Sequence, residues 1–248
     1  MTFGNKKVFG LILSHNCEQL IDATIKRIPN NLFYEVIVSD DGSTDGSVSK
    51  YKELGYKVFE TSVAGYGSNI KNGLKAAFGM GADYVVEIHG DGAQFDPSAT
   101  YNAINLINKN TDLILGSRFI KKESALRLGM PLPRYLANRG LSFIDRIILG
   151  KNLSEFHTGF RIYRKSVLDV YTNNYSHDHI CSFQIIAGVI AKGMEIDEVE
   201  VECDYRGEHT SHSYMGASLY AILHFIVLIQ FMLKKYLNIK LGIFKDEK

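Results

Sequence analysis

The sequence lacks the charge excess that marks several classes of binding protein. Its 248 residues carry 28 Lys and Arg against 27 Asp and Glu, a formal net charge of +1. Proteins that bind nucleic acid need an excess of positive charge to neutralise a run of phosphates. We therefore expect no nucleic-acid partner, and any recognition of phosphate must be local.

Cysteine is scarce as well. Cys17, Cys181 and Cys203 are too few and too scattered for a disulfide framework or a CxxC metal site. Residues 1–16 contain no apolar core long enough for a signal peptide and no cleavage-site pattern. We therefore expect a protein of the reducing cytoplasm whose first β-strand lies near the N-terminus.

Long apolar runs are missing, since none reaches the roughly 20 uninterrupted residues of a confident bilayer span. The most apolar run, residues 217–233, is interrupted by His224 and Gln230 and is followed by a lysine pair. Two interpretations stay open: a helix packed on the domain or on a second copy in a homo-oligomer, or a helix lying in a membrane interface. We expect one domain over residues 1–215 and a C-terminal apolar helix with a basic tail over residues 216–248.

What the chain does contain is a regular alternation of apolar strands and helices. Strand patterns occur at residues 8–13, 35–39, 57–61, 84–88, 112–116 and 198–203, and helical patterns at 18–28, 47–54, 68–78, 101–108 and 141–149. This order predicts an α/β fold with a mostly parallel central sheet flanked by helices. Such sheets bind ligands at the carboxyl ends of their strands, so the loops there are the candidate site.

The loop after the second strand is acidic. Asp40 and Asp41 stand at the strand's end, with Ser43 and Asp45 close behind. Carboxylates in this place can hydrogen-bond a base or a ribose, whereas the commoner alternative is a turn in which Asp45 or Ser47 caps the next helix. A calcium loop is excluded, because a lysine stands at the twelfth position, where an EF-hand requires glutamate.

A second acidic loop, residues 87–97, follows the fourth strand. Asp91 is the natural ligand there for a Mg²⁺ or Mn²⁺ ion that also binds a diphosphate, since such ions take one or two protein carboxylates and substrate oxygens for the rest. His89, Gln94 and Asp96 stand nearby as candidate contacts. An acidic turn before a proline is usually only a turn, but two acidic loops at one sheet edge favour a converging site.

Gly65 and Gly67 lie in the predicted loop just before the helix that carries Lys71. They form an incomplete GxGxxG fingerprint, because Ile70 replaces the third glycine and the pair does not follow the first strand. We interpret this loop as packing on a mononucleotide rather than on NAD.

In their order along the chain, these motifs resemble those of the family 2 glycosyltransferases of GT-A fold. The branch most similar contains dolichyl-phosphate mannose synthase and bacterial polyprenyl-phosphate glycosyltransferases, and the resemblance runs from about residue 8 to residue 205. It rests on residues 40–45 for DDGSxD, 65–67 with 72–73 for the glycine loop, 89–92 for the DxD metal motif, 116–118 for GSR, and 155–161 for D-x-x-S/T-G-F/Y-R. Residues 13–17 depart from P-x-Y-N-E, His89 replaces the first Asp of DxD, and Glu155 replaces an Asp.

The resemblance implies a metal-dependent, inverting transfer from a nucleoside-diphosphate sugar to a polyprenyl phosphate or a glycan precursor. It implies that Asp41 binds the nucleotide and that Asp91 binds the metal, with His89 and His212 as further candidate ligands. Apart from the resemblance, Gly129, Pro131 and Pro133 in the basic stretch of residues 118–139 predict a mobile loop that leads into a helix and closes over the donor.

The same resemblance implies that Arg118 and Arg134 contact the donor diphosphate or the acceptor phosphate. Arg161 is a further candidate donor contact, with a buried pair with an acidic neighbour as its alternative. Glu155 and Asp178 are candidate general bases for a hydroxyl acceptor, and a structural partner of Arg161 is the alternative for Glu155. A polyprenyl phosphate is already ionised and needs no base.

Two other classes of protein stay open. A sugar nucleotidyltransferase also uses Mg²⁺ on an α/β sheet, although the chain lacks the glycine-rich basic loop that such enzymes carry after the first strand. A nucleotide-sugar-binding protein without turnover would account for His89 and for Cys17, which stands where the family has glutamate. We expect a cytoplasmic protein, at the cytoplasmic face of the membrane if the C-terminal helix binds lipid.

Overall fold

The computed structural model describes residues 3–92, 94–121, 124–171, 174–203, 205 and 214–245. Its central sheet has seven strands in the order β3-β2-β1-β4-β6-β5-β7. The strands are β1 (Val8–Ser14), β2 (Glu35–Asp40), β3 (Lys57–Glu60), β4 (Tyr84–His89), β5 (Leu113–Ser117), β6 (Arg161–Arg164) and β7 (Ile196–Glu200). Of these strands β6 alone runs antiparallel, between β4 and β5, which confirms the prediction of a mostly parallel sheet.

Helices flank the sheet. The α-helices of the described residues are α1 (Ile21–Lys26), α2 (Ser47–Glu53), α3 (Tyr66–Gly79), α4 (Ile104–Asn108), α5 (Ser124–Arg127), α6 (Leu132–Leu149), α7 (Cys181–Ala191) and α8 (Tyr214–Leu237). Among the described residues, 3₁₀ segments occupy Glu18–Leu20, Pro97–Ala103, Lys165–Asp169 and Gly242–Phe244. The helix expected at residues 101–108 is therefore a 3₁₀ turn followed by a short α-helix.

Strand β1 shows how the sheet is buried. All its residues are buried, as expected for a parallel strand with both faces covered. Phe9 and Leu11 join the apolar cluster that contains side chains of α3 and α7, whereas Val8 and Ile12 join clusters on the other face. This alternation follows the two-residue period of a strand.

Helix α6 differs from the prediction of a mobile loop over residues 118–139. It begins at Leu132, and Pro133 lies in its first turn, where proline is tolerated because the first amide groups of a helix have no partner within it. Arg134 and Arg139 therefore lie on a helix. The glycine and the prolines do mark an interruption of helical structure, but this interruption ends at Leu132, earlier than predicted.

Two further elements, β6 and α7, are absent from the sequence prediction. Strand β6 reads Arg-Ile-Tyr-Arg, so its polar ends hide the apolar pattern of a strand. Helix α7 is apolar almost all round, and most of its residues are buried. A helix enclosed in this way lacks the amphipathic period by which surface helices are recognised.

Helix α8 contains the segment Ser218–Leu237, which is long enough and apolar enough to cross a membrane by length and composition alone. Its inner side packs against the domain through Val227, Leu228 and Phe231, all buried. About a fifth of the segment is buried, 22%. Most residues of this segment are thus exposed or only partly buried.

Candidate active site

The acidic loops meet at one edge of the sheet. In the parallel register of β1 and β2, Ser14 lies opposite Asp40, and in that of β1 and β4, Leu13 lies opposite His89. Residues 40–45 and 89–92 therefore leave the sheet on either side of β1 at its carboxyl edge, where α/β sheets bind ligands.

Asp40 organises the first of these loops. Its Oδ2 accepts hydrogen bonds from the hydroxyls of Ser14 and Ser43, both at 2.7 Å, and its Oδ1 accepts one from the Ser43 amide at 2.8 Å. The side chain is buried. Asp40 and Ser43 thus shape the loop, and their predicted contacts with a nucleotide stay predictions.

Asp41 holds the glycine loop. Its two carboxylate oxygens accept hydrogen bonds from the Gly65 amide at 2.8 and 3.0 Å. The Gly67 amide in turn donates to the His177 carbonyl at 2.6 Å. The structure therefore brings the acidic loop, the glycine loop and the segment around His177 into direct contact.

Both glycines are required by this close approach. Gly65 has a φ of +123°, and a Cβ atom there would lie 2.4 Å from the His177 carbonyl oxygen. A Cβ atom on Gly67 would lie 2.5 Å from the Ser176 carbonyl oxygen. Gly67 is also the second residue of α3 rather than part of the predicted loop.

We predict that Gly65→Ala lowers the free energy of unfolding by about 2 kcal/mol or more, because an alanine at this φ is strained and its methyl group meets a backbone carbonyl. Chemical denaturation of both proteins measures the difference. Gly79→Ala is the matched control, since Gly79 ends the same helix and has no atom near its Cβ position. An equal loss in both variants would contradict the prediction.

Asp45 has the role of a turn residue. Its Oδ1 accepts a hydrogen bond from the Ser47 amide at 3.0 Å and its Oδ2 accepts one from the Glu18 amide at 3.1 Å. This is the commoner of the two interpretations open for Asp45, and it ties the start of α2 to the loop after β1. Lys71 lies further along α3, with its Nζ 5.3 Å from the ring centroid of Tyr171.

A buried network around Glu87 was missed by the sequence analysis. Glu87 Oε1 accepts a hydrogen bond from the Tyr66 hydroxyl, and Oε2 accepts one from the Tyr163 hydroxyl at 2.6 Å. Arg161 Nη1 lies 3.6 Å from Oε2, so Arg161 has the buried acidic neighbour that was its alternative role. Burial alone would raise the pKa of Glu87, but bonding to His89 and the charge of Arg161 lower it to about 2.

His89 belongs to this network. Its Nε2 lies 3.2 Å from Glu87 Oε1, and its ring meets those of Tyr66 and Phe95 edge to face. Burial opposes the charged imidazolium, but the Glu87 carboxylate outweighs it and raises the pKa of His89. Its Nε2 is engaged by Glu87, which leaves one ring nitrogen for any other contact, and the predicted role of His89 as a metal ligand stays a prediction.

Asp91 is the remaining described residue among those proposed for the metal. It lies two positions after β4, and its charge contributes to the raised pKa of His89. A single carboxylate fits Mg²⁺ or Mn²⁺, because these ions take their other oxygens from substrate and water. Gln94 lies half-buried in the same loop, and His212 lies outside the described residues.

Arg118 and Glu155 form a buried ion pair. Arg118 Nε lies 2.9 and 3.1 Å from the two Glu155 oxygens, Nη2 also contacts Oε1, and the Arg118 amide donates to Oε2 at 2.8 Å. Both side chains are buried. The partner of Glu155 is thus Arg118 and not Arg161, and a carboxylate so fully engaged is poorly placed to act as a general base.

Arg134 and Asp178 are more accessible. Arg134 lies half-buried in the first turn of α6, and Asp178 is exposed in the turn before α7. Asp178 follows His177, whose carbonyl accepts a hydrogen bond from the Gly67 amide. Their roles toward a phosphate and an acceptor hydroxyl stay predictions.

Known proteins match both the chain and its fold. The family model described as Glycosyl transferase family 2 matches residues 11–172. The UDP-N-acetylglucosamine–dolichyl-phosphate N-acetylglucosaminyltransferase of Methanococcus voltae is 28% identical over 81% of this chain and 87% of its own length. The dolichol-phosphate mannosyltransferase of Pyrococcus furiosus is 29% identical over 79% of this chain and 55% of its own length.

A solved structure shares the architecture. Glucosyl-3-phosphoglycerate synthase from Mycobacterium tuberculosis, in complex with UDP, has a TM-score of 0.68 at 16% identity, over 92% of this chain and 80% of the other. The same enzyme has been solved with Mg²⁺ and UDP. The fold and the acidic carboxyl edge define an α/β transferase of GT-A fold, which confirms the expected fold. The chain belongs to glycosyltransferase family 2.

Proposed function

We propose that the protein transfers a sugar from a nucleoside-diphosphate sugar to a polyprenyl phosphate, with inversion at the anomeric carbon and with Mg²⁺ or Mn²⁺ bound at Asp91. The observation that carries the proposal is the meeting of Asp41, the glycine loop and the Asp91 loop at one sheet edge. The names of two relatives describe transfer to a dolichyl phosphate or a dolichol phosphate. This supports a lipid phosphate as the acceptor.

On the donor side, we assign the nucleotide to Asp41 and to the loop that it holds at Gly65. A cation at Asp91 would offset the charge that develops on the departing diphosphate. Arg134, accessible on the first turn of α6, is the arginine that we assign to a phosphate. Arg118 has a positioning role in this scheme, because its guanidinium binds Glu155 and, through Nη1 at 2.5 Å, the Tyr205 hydroxyl.

On the acceptor side, the engagement of Glu155 favours an acceptor that requires no base. A phosphate monoester is ionised at neutral pH, so one of its oxygens can attack the anomeric carbon opposite the departing diphosphate. A glycan hydroxyl would need a proton acceptor, and Asp178 would then be the accessible carboxylate.

An apolar surface supports an acceptor that resides in a membrane. On α6, Leu132, Leu136, Phe143 and Ile147 are each more than half exposed and share one side of the helix. On α8, Leu219, Ile222 and Ile229 are likewise more than half exposed. We call these side chains the apolar face, and exposed apolar groups of this size concentrated on two helices are typical of an interaction surface.

Charge favours a bilayer as the partner of the apolar face. The acidic residue of α6, Asp145, is buried, and α8 contains no acidic residue. Basic residues accompany both helices, among them Arg134, Arg139 and Lys235. Basic and apolar side chains without exposed acids suit an anionic lipid surface, and we therefore propose that the protein works at the cytoplasmic face of a membrane.

We predict that Phe143→Glu combined with Ile147→Glu abolishes sedimentation of the protein with anionic phospholipid vesicles, because each change places a charge where apolar area would enter the lipid. Leu54→Glu is the control, since Leu54 is an exposed apolar residue just beyond α2. If the wild-type protein is a dimer in solution and does not sediment with vesicles, a second copy covers the apolar face instead.

The activity itself is tested with UDP-, GDP- and dTDP-sugars, with and without a polyprenyl phosphate, in the presence of Mn²⁺ or Mg²⁺. Release of nucleoside diphosphate that requires both the metal and the lipid supports the proposal. Pyrophosphate release from a nucleoside triphosphate would instead show a nucleotidyltransferase, and donor binding without release would show a binding protein. Failure to bind any donor would refute all three.

A further inference from the structure

Three side chains outside the donor site converge in the interior of the protein. Asp145 of α6 is bound through Oδ2 to His157 Nε2 at 2.8 Å and through Oδ1 to His224 Nε2 at 2.6 Å. His157 lies in the loop before β6, and His224 lies on α8. The ligand atoms of all three residues lie within 4.8 Å of one another. We propose that Asp145, His157 and His224 bind one transition-metal dication of the Zn²⁺ type.

The donor set selects the class of ion. Two imidazole nitrogens with one carboxylate suit Zn²⁺ and its first-row neighbours, whereas Mg²⁺ prefers oxygen ligands throughout. Because each carboxylate oxygen faces a different imidazole nitrogen, a bidentate Asp145 and the two histidines offer four donor atoms. Bond lengths to Zn²⁺ of about 2.0–2.2 Å require each nitrogen to move away from its carboxylate oxygen by roughly 0.5–0.8 Å.

The charge balance gives a second reason. Asp145 and His224 are fully buried and His157 is nearly so. Within the described ranges, the ion-pair partners of Asp145 are these two histidines. A buried carboxylate needs hydrogen-bond donors or a nearby positive charge, and a metal ion between the three side chains would supply that charge.

The surroundings suit a closed site. The ring of Phe183 lies 4.3 Å from that of His224 and 5.6 Å from that of His157, centroid to centroid. The other nitrogen of His157, Nδ1, lies 3.2 Å from the Tyr220 hydroxyl, and a contact of this kind fixes the orientation of a ligating imidazole. Aromatic rings exclude water, so a bound ion would be structural, with no open position for a substrate.

Such an ion would join three parts of the chain. Asp145 and His224 are 79 positions apart, and His157 belongs to the motif that ends at Arg161. An unfolded chain cannot hold these three residues together, so the binding free energy of the ion adds to the stability of the fold. This inference stands independently of the proposed function, because it rests on side chains other than those assigned there to the donor, the cation and the acceptor.

The test uses the full-length chain without a histidine tag, purified without chelator, and measures its zinc content by plasma mass spectrometry. We expect one Zn²⁺ per chain. After removal of the ion, Zn²⁺ added to a free concentration of about 100 times its Kd should raise Tm by about 5–10 °C. The same concentration of Mg²⁺ should leave Tm unchanged. Co²⁺ in its place should give the visible absorption of a tetrahedral site.

Two variants make the result specific. His224→Phe should lose the ion and the Tm response, whereas His15→Gln, which changes an exposed histidine elsewhere, should keep both. If His224→Phe fails to fold, the metal content and the Co²⁺ spectrum of the wild-type protein still decide. Two results would overturn the proposal: a wild-type protein that binds no stoichiometric zinc, or a folded His224→Phe variant that keeps its zinc. In the first case, hydrogen bonds between Asp145 and the two imidazoles account for the cluster.

Discussion

Replacing Asp91 by asparagine should lower kcat for sugar transfer by about 100-fold or more, while the protein stays folded. Asparagine keeps the shape of the side chain but removes the charge that a hard cation requires, so the ion binds weakly and the charge of the leaving diphosphate is poorly offset. Initial rates at saturating donor, measured over a titration with Mn²⁺, give both kcat and the apparent metal affinity, and both should fall.

The control for Asp91 lies in the same loop. Asp96 Oδ1 accepts a hydrogen bond from the Ser98 amide at 2.8 Å and so caps the 3₁₀ turn at Pro97–Ala103. Asparagine caps a helix about as well as aspartate, so Asp96→Asn should keep the rate within a few-fold. An Asp91→Asn enzyme with unchanged rate and metal response would exclude Asp91 as the ligand.

The Glu155→Gln change should cost about 3–5 kcal/mol in the free energy of unfolding, the usual result of removing one partner from a buried ion pair. Burial opposes the charge on Arg118, but Glu155 outweighs it and raises the pKa of Arg118. The arginine therefore stays charged, and in the variant its charge is buried without compensation. Thermal unfolding should show Tm lower by roughly 10 °C or more.

An exposed pair provides the comparison for Glu155. Lys121 Nζ lies 2.9 Å from Glu200 Oε2 with the lysine two-thirds exposed, and exposed pairs contribute about 1 kcal/mol or less. Lys121→Gln should therefore leave Tm nearly unchanged, and an equal loss in both variants would contradict the assignment. Activity of the folded Glu155→Gln protein tests the base hypothesis, since loss of a general base lowers the rate by about 10²–10⁴.

The elements that sequence predicts well are those whose signal is local. Parallel strands covered on both faces must be apolar along their length, so β1, β2 and β4 are evident from their own residues. The carboxyl-edge loops follow from the strands, and so do the positions of Asp41 and Asp91. The start of α6 was misplaced because a proline in a first turn and a proline in a loop look alike over a few residues.

The partners of the buried charges depend on distant pairing. Arg118 and Glu155 are 37 positions apart, and they meet because β6 enters the sheet antiparallel between β4 and β5. No local pattern distinguishes Arg118 from Arg161 as the partner of Glu155. A signal for the Glu87 network did exist, since a lone glutamate within an apolar strand must find a partner when it is buried.

The contact between the glycine loop and His177 has a consequence for how the protein is made. Ser68 and His177 are bound to each other across 109 positions, so the ribosome needs roughly 5–20 s to reach the second after the first. The last residues of β4 are made within that interval, whereas the hydrogen bond from the Gly67 amide to the His177 carbonyl cannot form until its end. The glycine loop therefore gains its last contacts late in synthesis, although its own residues are made early.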